Sequence, residues 1–288
     1  MAFQHLRYEL RDRVALITLA RPEKLNAFSI QTVHEVVEAI ERADGDDEVR
    51  VILFTGEGKA YSVGSDLSEA GGDTFDYDKY GKLDGVPRDL GGLITLRLFE
   101  CKKPVMVAFN GTAAGVGLTM TLAADFRLAS TAAKFCFPFV KRGIVPESNS
   151  SWFLPRLVGL PKALDWMMSA RVFSVEEALA AGLVNSVHAP EELLPAAFAQ
   201  AAQIANETAP VSVAIARQML WRMMDAPHPM AAHSVESSGV YHTGRLPDAV
   251  EGITSFLQKR PAEYKAKLSE DLPEWWPWWE TPEYEPPV

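Results

Sequence analysis

The sequence predicts an α/β protein that ends in an all-helical part. Runs rich in β-branched residues alternate with helical segments through about residue 190, which is typical of an α/β core. Four consecutive helical segments, separated by proline or glycine, follow that core. With 288 residues, 48% of them hydrophobic, the chain can bury one large core and a smaller appendage. We expect three regions: an α/β core over 1–190, helices over 191–265 and a tail over 266–288.

The predicted strands are short apolar runs bounded by turn residues. The longest are 14–20, 49–56 and 104–111, and shorter candidates are 126–130, 134–138 and 183–189. The three longest runs are rich in β-branched residues, which indicates buried strands.

Helical periodicity fills the intervals between these strands. In the segment 29–44, one apolar stripe faces the core and Ser29 is a suitable N-cap; the stripe consists of Val33, Val36, Val37 and Ile40. Segments 91–102 and 115–125 also fit helices, and the four C-terminal helices are predicted at 190–209, 210–225, 228–245 and 246–260.

Composition excludes several classes of function. The formal charge is −10 and no basic run occurs, so nucleic acid is not expected as a partner. The apolar stretches are too short to span a membrane, and the N-terminus lacks the apolar core of a signal peptide. Cys101 and Cys136 do not form a disulfide framework. We therefore predict a cytoplasmic, reduced protein.

The sequence contains no recognisable motif for a metal or a nucleotide cofactor. Its six histidines include no HExxH pair, and no GxxxxGK[ST] loop is present. The segment GTAAGVG differs from the GxGxxG of dinucleotide-binding folds. We predict neither a bound metal nor a cofactor.

Two segments share the order strand, glycine-rich bend, helix. The first bend contains Gly56, Gly58 and Gly64, and the second contains Gly111, Gly115 and Gly117. Glycine permits positive φ and close approach of the backbone to a ligand, and a helix that begins in a bend directs free N–H groups into it. Two such bends could direct two donors at one oxygen atom, although each alone could be an ordinary tight turn.

The stretch RGIVPESNSSW contains a lone carboxylate, Glu147, after a proline and before four small polar residues. One interpretation is a helix cap, since acids are favoured in the first turn of a helix. The other is a catalytic acid/base in a pocket that Phe139 and Trp152 keep apolar. Burial there would raise the pKa of Glu147, whereas a helix N-terminus would lower this pKa.

Several motifs together resemble the crotonase superfamily, which contains the enoyl-CoA hydratases and isomerases. They are RPEKLNAFS, GKAYSVGSDL, KPVMVAFNGTAAGVGLTMTLAADFRLAS, KFCFPFVKRGIVPESNSSWFLPRLVG, MSARVFSVEEALAAGLVNSV and FLQKRP, in the expected order between about residues 8 and 262. The resemblance implies a ββα spiral core with a helical C-terminal trimerisation region. It also implies an enzyme that acts on an acyl-CoA substrate.

The resemblance implies a pair of backbone donors for the thioester oxygen. By motif position these are the amides of Ser65, which follows Gly64, and Val116, which lies between Gly115 and Gly117. Such donors stabilise an enolate oxyanion, and each is worth about 3–4 kcal/mol in a well-measured case.

The resemblance also bears on which acid acts. Thr119 and Phe139 occupy the positions of the two hydratase glutamates, and neither can transfer a proton. Glu147 falls at the position of the single glutamate of Δ3,Δ2-enoyl-CoA isomerases, so isomerisation is favoured. Hydration by a water that Glu147 holds with Ser148 and Asn149 stays open, as does thioester hydrolysis or decarboxylation.

Coenzyme A is anionic, so this acidic chain needs local basic groups to bind it. Candidates are Arg21, Lys24, Lys59, Lys259 and Arg260. The resemblance places Leu25, Ala60, Ser62, Asp66 and Leu67 along the adenine and pantetheine path. It further implies a homotrimer or a dimer of trimers, in which Phe256 and Lys259 reach the ligand of a neighbouring subunit.

Two further segments carry expectations. The acidic, glycine-rich segment 68–90 predicts a mobile loop near the site, whose acids Asp73, Asp76, Asp78 and Asp84 are expected to be solvated. The tail DLPEWWPWWETPEYEPPV contains four of the seven tryptophans and cannot form a regular helix. We expect it to dock on a neighbouring surface, in this subunit or another.

Overall fold

The larger of two sheets organises the core in this computed structural model, which describes residues 3–68 and 88–284. Numbered in chain order across both sheets, its strands are β1 (Leu6–Arg11), β2 (Val14–Leu19), β3 (Val51–Gly56), β5 (Val105–Phe109), β7 (Phe126–Ser130) and β10 (Ser186–His188), side by side in this order. β1 is antiparallel to β2, and the other neighbours are parallel. The register places Phe54 opposite both Ile17 and Val107.

Two strands of the smaller sheet lie within the two glycine-rich segments. This sheet contains β4 (Ala60–Ser62), β6 (Thr112–Ala114), β8 (Lys134–Cys136) and β9 (Val172–Ser174), in this order. The first three strands are parallel and β9 is antiparallel to β8. β4 lies between Gly58 and Gly64, and β6 lies between Gly111 and Gly115, so Gly64 and Gly115 follow the strands of the smaller sheet directly or within two residues.

Ten α-helices lie in the described part of the chain. They are α1 (Ile30–Gly45), α2 (Leu90–Glu100), α3 (Val116–Thr119), α4 (Ser150–Val158), α5 (Leu160–Ser169), α6 (Val175–Ala180), α7 (Pro190–Glu207), α8 (Pro210–Arg222), α9 (Pro229–Thr243) and α10 (Pro247–Gln258). The α1 helix begins as predicted, since the Ser29 hydroxyl accepts from the backbone N–H of Thr32 in a reciprocal capping box. All predicted strands and helices are present.

The larger sheet is buried on both faces. On one face, alternate residues of β2 and β3 pack with α1 and α2, as Ile17 and Phe54 do. On the other face, their neighbours Leu16 and Leu53 pack against α7, which presents Ala197, Ala201 and Ala205 to the sheet. The helix α7 therefore packs on the core. The predicted boundary at residue 190, between an α/β core and a separate helical region, stays a prediction.

The helices after α7 carry exposed apolar side chains. On α10, Val250, Ile253 and Phe256 are 65%, 65% and 81% exposed. Apolar faces of this kind indicate contact with another surface. Within the part of the chain that the structure describes, no helix combines the length and apolar character needed to cross a bilayer.

The tryptophan-rich tail docks on its own chain. Ala266 and Leu268 are buried against α8. Farther along, the indole N–H of Trp279 donates to Glu100 Oε2 at 3.1 Å, and the Arg222 guanidinium lies 3.5 Å from the Trp279 ring centroid. The predicted docking is confirmed, with this subunit as the partner.

We expect Trp279→Ala to destabilise the protein by about 2 kcal/mol, because it removes a cation–π contact and a hydrogen bond to a carboxylate. Urea denaturation followed by circular dichroism measures this change in the free energy of unfolding. The exposed neighbour Glu280 supplies a control, since Glu280→Ala should stay within about 0.5 kcal/mol of the parent. Equal stability of both variants would show that the indole contributes nothing.

Candidate active site

The two predicted glycine bends lie against each other. Gly64 and Gly115 have φ values of +100° and +52°, in the region that favours glycine. A β-carbon on Gly64 would lie 3.0 Å from the carbonyl oxygen of Ala114 and 3.6 Å from Gly115 Cα. Larger residues would separate the bends, so the two glycines allow the peptides that follow them to lie close together.

The amides of Ser65 and Val116 follow these glycines. The peptide before Ser65 is held by Phe28, whose N–H donates to Gly64 O at 2.8 Å and whose carbonyl accepts from Asp66 N at 2.8 Å. Val116 is the first residue of α3, where N–H groups have no intrahelical acceptor. Among the backbone hydrogen bonds of residues 3–68 and 88–284, neither amide has an acceptor. Both are available to a ligand oxygen.

Gly117 is required for packing of α3 on β4. A β-carbon at this position would lie 2.5 Å from both Cβ and Oγ of Ser62. The Ser62 hydroxyl is buried and donates to the carbonyl of Asn26 at 2.7 Å. Gly117 therefore allows the start of α3 to pack closely against Ser62 of β4.

Glu147 does not cap a helix. The α4 helix begins at Ser150 with Asn149 at its N-cap, and Ser148 and Asn149 have left-handed φ values of 56° and 53°. These two residues place Glu147 outside the first helical turn. The capping interpretation is wrong, because the carboxyl group binds side chains of other residues instead of the amides of α4.

Two hydroxyl groups contact the Glu147 carboxyl group. Thr119 Oγ1 lies 2.5 Å from Oε1, and the Ser148 hydroxyl bonds to Oε2. Thr119 Oγ1 also lies 3.1 Å from Gly115 O. A hydroxyl has one hydrogen, so Thr119 can donate to only one of these two oxygen atoms at a time.

The environment raises the pKa of Glu147 to about 8. Burial is the main cause, because it disfavours the charged form, and the neighbouring carboxyl of Asp89 is the second. The hydroxyls of Ser148 and Thr119 act in the opposite direction. Glu147 is therefore poised to exchange a proton near neutral pH.

Gly91 ties Glu147 to the second bend. A β-carbon on Gly91 would lie 2.1 Å from Glu147 Oε2 and 3.1 Å from Val116 Cγ2. Because Glu147 Oε2 and Val116 Cγ2 both lie near this position, the carboxyl group is close to the start of α3. The bends and the carboxyl group form one site.

The two predicted aromatic residues of the pocket differ in their surroundings. Phe139 is buried in the main core cluster. Trp152 packs against Phe99 and Phe153, whose ring centroids lie 5.7 and 4.7 Å from that of Trp152. The Arg156 guanidinium lies 3.9 Å from the centroid of the Trp152 ring. Contact of either ring with an acyl group stays a prediction.

Near the first bend, the residues predicted along the coenzyme A path fall into two groups. Leu25 and Leu67 are 43% and 53% exposed, and the Lys24 ammonium, also exposed, donates to Ser68 at 2.8 Å. Ala60, Ser62 and Asp66 are buried.

The prediction that Arg21 binds a phosphate of coenzyme A is wrong. The Arg21 guanidinium is buried, donates to Ala27 O at 2.8 Å and pairs with Asp66 at 3.1 Å. Asp66 also accepts from the hydroxyl of Ser68 at 2.6 Å, and these contacts hold its pKa below the usual range. This pair stabilises the turn that presents Lys24 and Ser65.

Phe256 of α10 and Lys259, the C-cap residue of this helix, lie on the exposed surface. The predicted contact of both with a neighbouring ligand stays a prediction. Arg260 forms a bidentate pair with Glu251 at 2.6 and 2.7 Å, so it is not a free cation for a phosphate. The loop acids Asp73, Asp76, Asp78 and Asp84 lie outside the described residues, as does most of the predicted loop 68–90.

Two residues at the start of α2 were missed by the sequence reasoning. Asp89 lies beside Glu147, and Gly91 makes room for it. The signal in the sequence is the string RDLGG, in which an aspartate precedes two glycines at a helix start. In the described ranges, no group of three His, Cys, Asp or Glu side chains could hold a metal ion.

Comparisons with known proteins agree with this geometry. Residues 9–267 match the family described as enoyl-CoA hydratase/isomerase. The chain is 37% identical over 260 residues to the enoyl-CoA hydratase ACTT3 of Alternaria alternata, covering 90% of this chain and 85% of the relative. It is 33% identical to the short-chain-enoyl-CoA hydratase of Clostridium acetobutylicum, covering 91% and 98%.

A solved structure has the same fold. An enoyl-CoA hydratase subunit I from Geobacillus kaustophilus superimposes with a TM-score of 0.83 at 32% identity, covering 93% of this chain and 100% of the other. The predicted crotonase fold, with its helical C-terminal region, is confirmed. With its matched bends, its family match over 9–267 and these relatives, this chain belongs to the enoyl-CoA hydratase/isomerase family of the crotonase superfamily.

Proposed function

We propose that this enzyme isomerises 3-enoyl-CoA thioesters to 2-enoyl-CoA thioesters, with Glu147 as the proton carrier. The observation that carries the proposal is the contact of the Glu147 carboxyl group with Thr119 on α3. The same helix begins at Val116, whose amide, like that of Ser65, has no backbone acceptor within the described residues. A thioester bound to both amides would therefore place its neighbouring carbon beside the carboxyl group.

The reaction balances with one carboxyl group and no co-substrate. Glu147 as carboxylate removes a proton from C2, and the electron pair moves into the thioester carbonyl. The amides of Ser65 and Val116 stabilise the resulting oxyanion. Glu147 then returns the proton to C4, the electrons flow back, and the double bond lies between C2 and C3.

The pKa of Glu147 suits this double role. A pKa of about 8 leaves roughly a tenth of the groups ionised at neutral pH, and the ionised form is a stronger base than an ordinary glutamate. After the first step, the protonated form is still acidic enough to return the proton.

Hydration is the second candidate, because the relatives are named enoyl-CoA hydratases. Hydration requires that a water molecule be held and deprotonated and that its proton be delivered to a carbon atom of the substrate. Ser148 contacts Glu147 and could orient such a water. Asn149 accepts from the hydroxyl of Thr95 at 2.6 Å, which leaves it less suited to that task. Thioester hydrolysis or decarboxylation would use the same amides and stays an alternative.

Product analysis with three assays tests the proposal. The purified protein is supplied with trans-3-hexenoyl-CoA and with crotonyl-CoA, and release of free CoA thiol reports hydrolysis. We expect isomerisation to exceed hydration by at least about tenfold, a difference of about 1.4 kcal/mol in activation free energy. Fast hydration without isomerisation would contradict the isomerase proposal and support the second candidate.

The exposed apolar residues of α10 support assembly as a homotrimer or a dimer of trimers. In that assembly Phe256 and Lys259 would approach the acyl-CoA of a neighbouring subunit. Acyl-CoA is the only partner proposed besides copies of this chain, and a cytoplasmic location remains our expectation.

A further inference from the structure

Asp89 is the N-cap residue of α2 and binds two amides of that helix. Its Oδ1 accepts from Gly91 N at 3.0 Å, and its Oδ2 accepts from Gly92 N at 3.0 Å. An aspartate at this position caps the helix, because its side chain satisfies two amides that have no partner within the helix.

The same carboxylate reaches the segment that contains Glu147. The backbone N–H of Ser148 donates to Asp89 Oδ2 at 2.5 Å. The carboxyl group of Asp89 lies close enough to Glu147 to raise the pKa of that glutamate, after burial the second cause of the shift. Three backbone amides therefore hold the Asp89 carboxyl group, and one of them belongs to the residue that follows Glu147.

Gly91 makes this arrangement possible. A β-carbon there would lie 2.1 Å from Glu147 Oε2 and 2.0 Å from Ser148 Oγ. Only glycine at this point of α2 lets the carboxyl group of Glu147 approach the start of the helix. The helix start is thus shaped around Glu147 as well as capped by Asp89.

We propose that Asp89 is a positioning residue for Glu147, held in place by three amides and acting on the substrate only through the glutamate. This inference rests on the proposed function, because it concerns the proton carrier of that reaction. Asp89 fixes where the carboxyl group of Glu147 lies, and its charge makes Glu147 a stronger base.

The groups around Glu147 indicate how it should titrate. Asp89, beside α2, is the charged group with the largest effect and raises the pKa of Glu147, while hydroxyls from α3 and from Ser148 lower it. Burial also raises this pKa and would remain without Asp89. Removing the Asp89 charge should therefore lower the pKa of Glu147 without returning it to the ordinary value.

The test compares the pH dependence of kcat/KM for isomerisation in the parent and in Asp89→Asn. Activity requires ionised Glu147, so it rises with pH through the pKa of this group. We expect the rising limb to move to lower pH by about one unit, since a neighbouring like charge shifts a pKa by about that amount or more. At low pH, the activity of the variant relative to the parent should then be about tenfold higher than it is on the alkaline plateau.

Two further variants keep the test decisive. Asp89→Ser retains an N-cap hydroxyl without charge, and it should show the same shift if the asparagine variant folds poorly. Ser174, the N-cap of α6, accepts from Glu177 N at 3.3 Å, so Ser174→Ala removes the cap of a different helix. The rising limb of the pH profile of Ser174→Ala should stay at the same pH as in the parent.

The outcomes separate this inference from the proposed function. A limb that stays in place or moves to higher pH in both Asp89 variants overturns the positioning role, even where Glu147→Gln abolishes turnover. Full activity in Glu147→Gln overturns the proposed function itself.

Discussion

Glu147→Gln is expected to lower kcat/KM for isomerisation by about 10³–10⁴-fold, towards the upper end of what general acid–base catalysis contributes. One carboxyl group serves both proton transfers in the proposed reaction, so its amide analogue blocks the forward and the return step. Stopped assays of 3-enoyl-CoA conversion measure the loss. Exchange of the C2 proton with deuterated water, followed by NMR, should disappear together with turnover.

The fold and acyl-CoA binding should survive this substitution. Glutamine is neutral, as the parent side chain largely is at neutral pH with a pKa of about 8, and it keeps the same length. Its amide can still bond to Thr119 and Ser148. Glu191, exposed in the first turn of α7, supplies the matched control, since Glu191→Gln should keep full activity. Retention of more than a tenth of the activity in Glu147→Gln would assign the proton transfer to another group.

The larger elements of the fold could be predicted because their patterns are local. The strands and helices of the core carry long apolar runs or clear 3.6-residue stripes, and Ser29 caps α1 as its sequence indicates. The sequence reasoning missed β1, β4, β6 and β9. Three of these are only three residues long, and β1 carries mostly exposed, charged side chains, so none shows a periodic apolar pattern.

The site was predictable where backbone alone matters and not where tertiary contacts decide. The bends at Gly64 and Gly115 follow from glycine and strand order. By contrast, the capping interpretation of Glu147 failed because two left-handed residues delay the start of α4 to Ser150. Asp89 lies 58 positions before Glu147, and only the folded chain brings α2 against that segment.

Val116→Pro is expected to lower kcat/KM by about 10²–10³-fold relative to Val116→Ala, the cost of removing one oxyanion donor. Proline lacks the N–H that we assign to the thioester oxygen. It is tolerated at the first position of a helix, which Val116 occupies in α3. Gly115, with φ 52° and ψ −134°, has the mirror image of the extended conformation that residues before proline prefer, which glycine can adopt.

The alanine variant isolates the amide, because it loses side-chain packing at the same buried position but keeps the N–H. The donors bind the oxyanion more strongly than the ground-state carbonyl, so the loss should fall on kcat more than on KM. Equal activity of the two variants would remove Val116 from the site. Since isomerisation, hydration and hydrolysis would all develop charge on this oxygen, the proline variant should impair whichever reaction the enzyme catalyses. Glu147→Gln and Val116→Pro therefore test different parts of one mechanism: the first tests which group moves the proton, and the second tests where the charge goes.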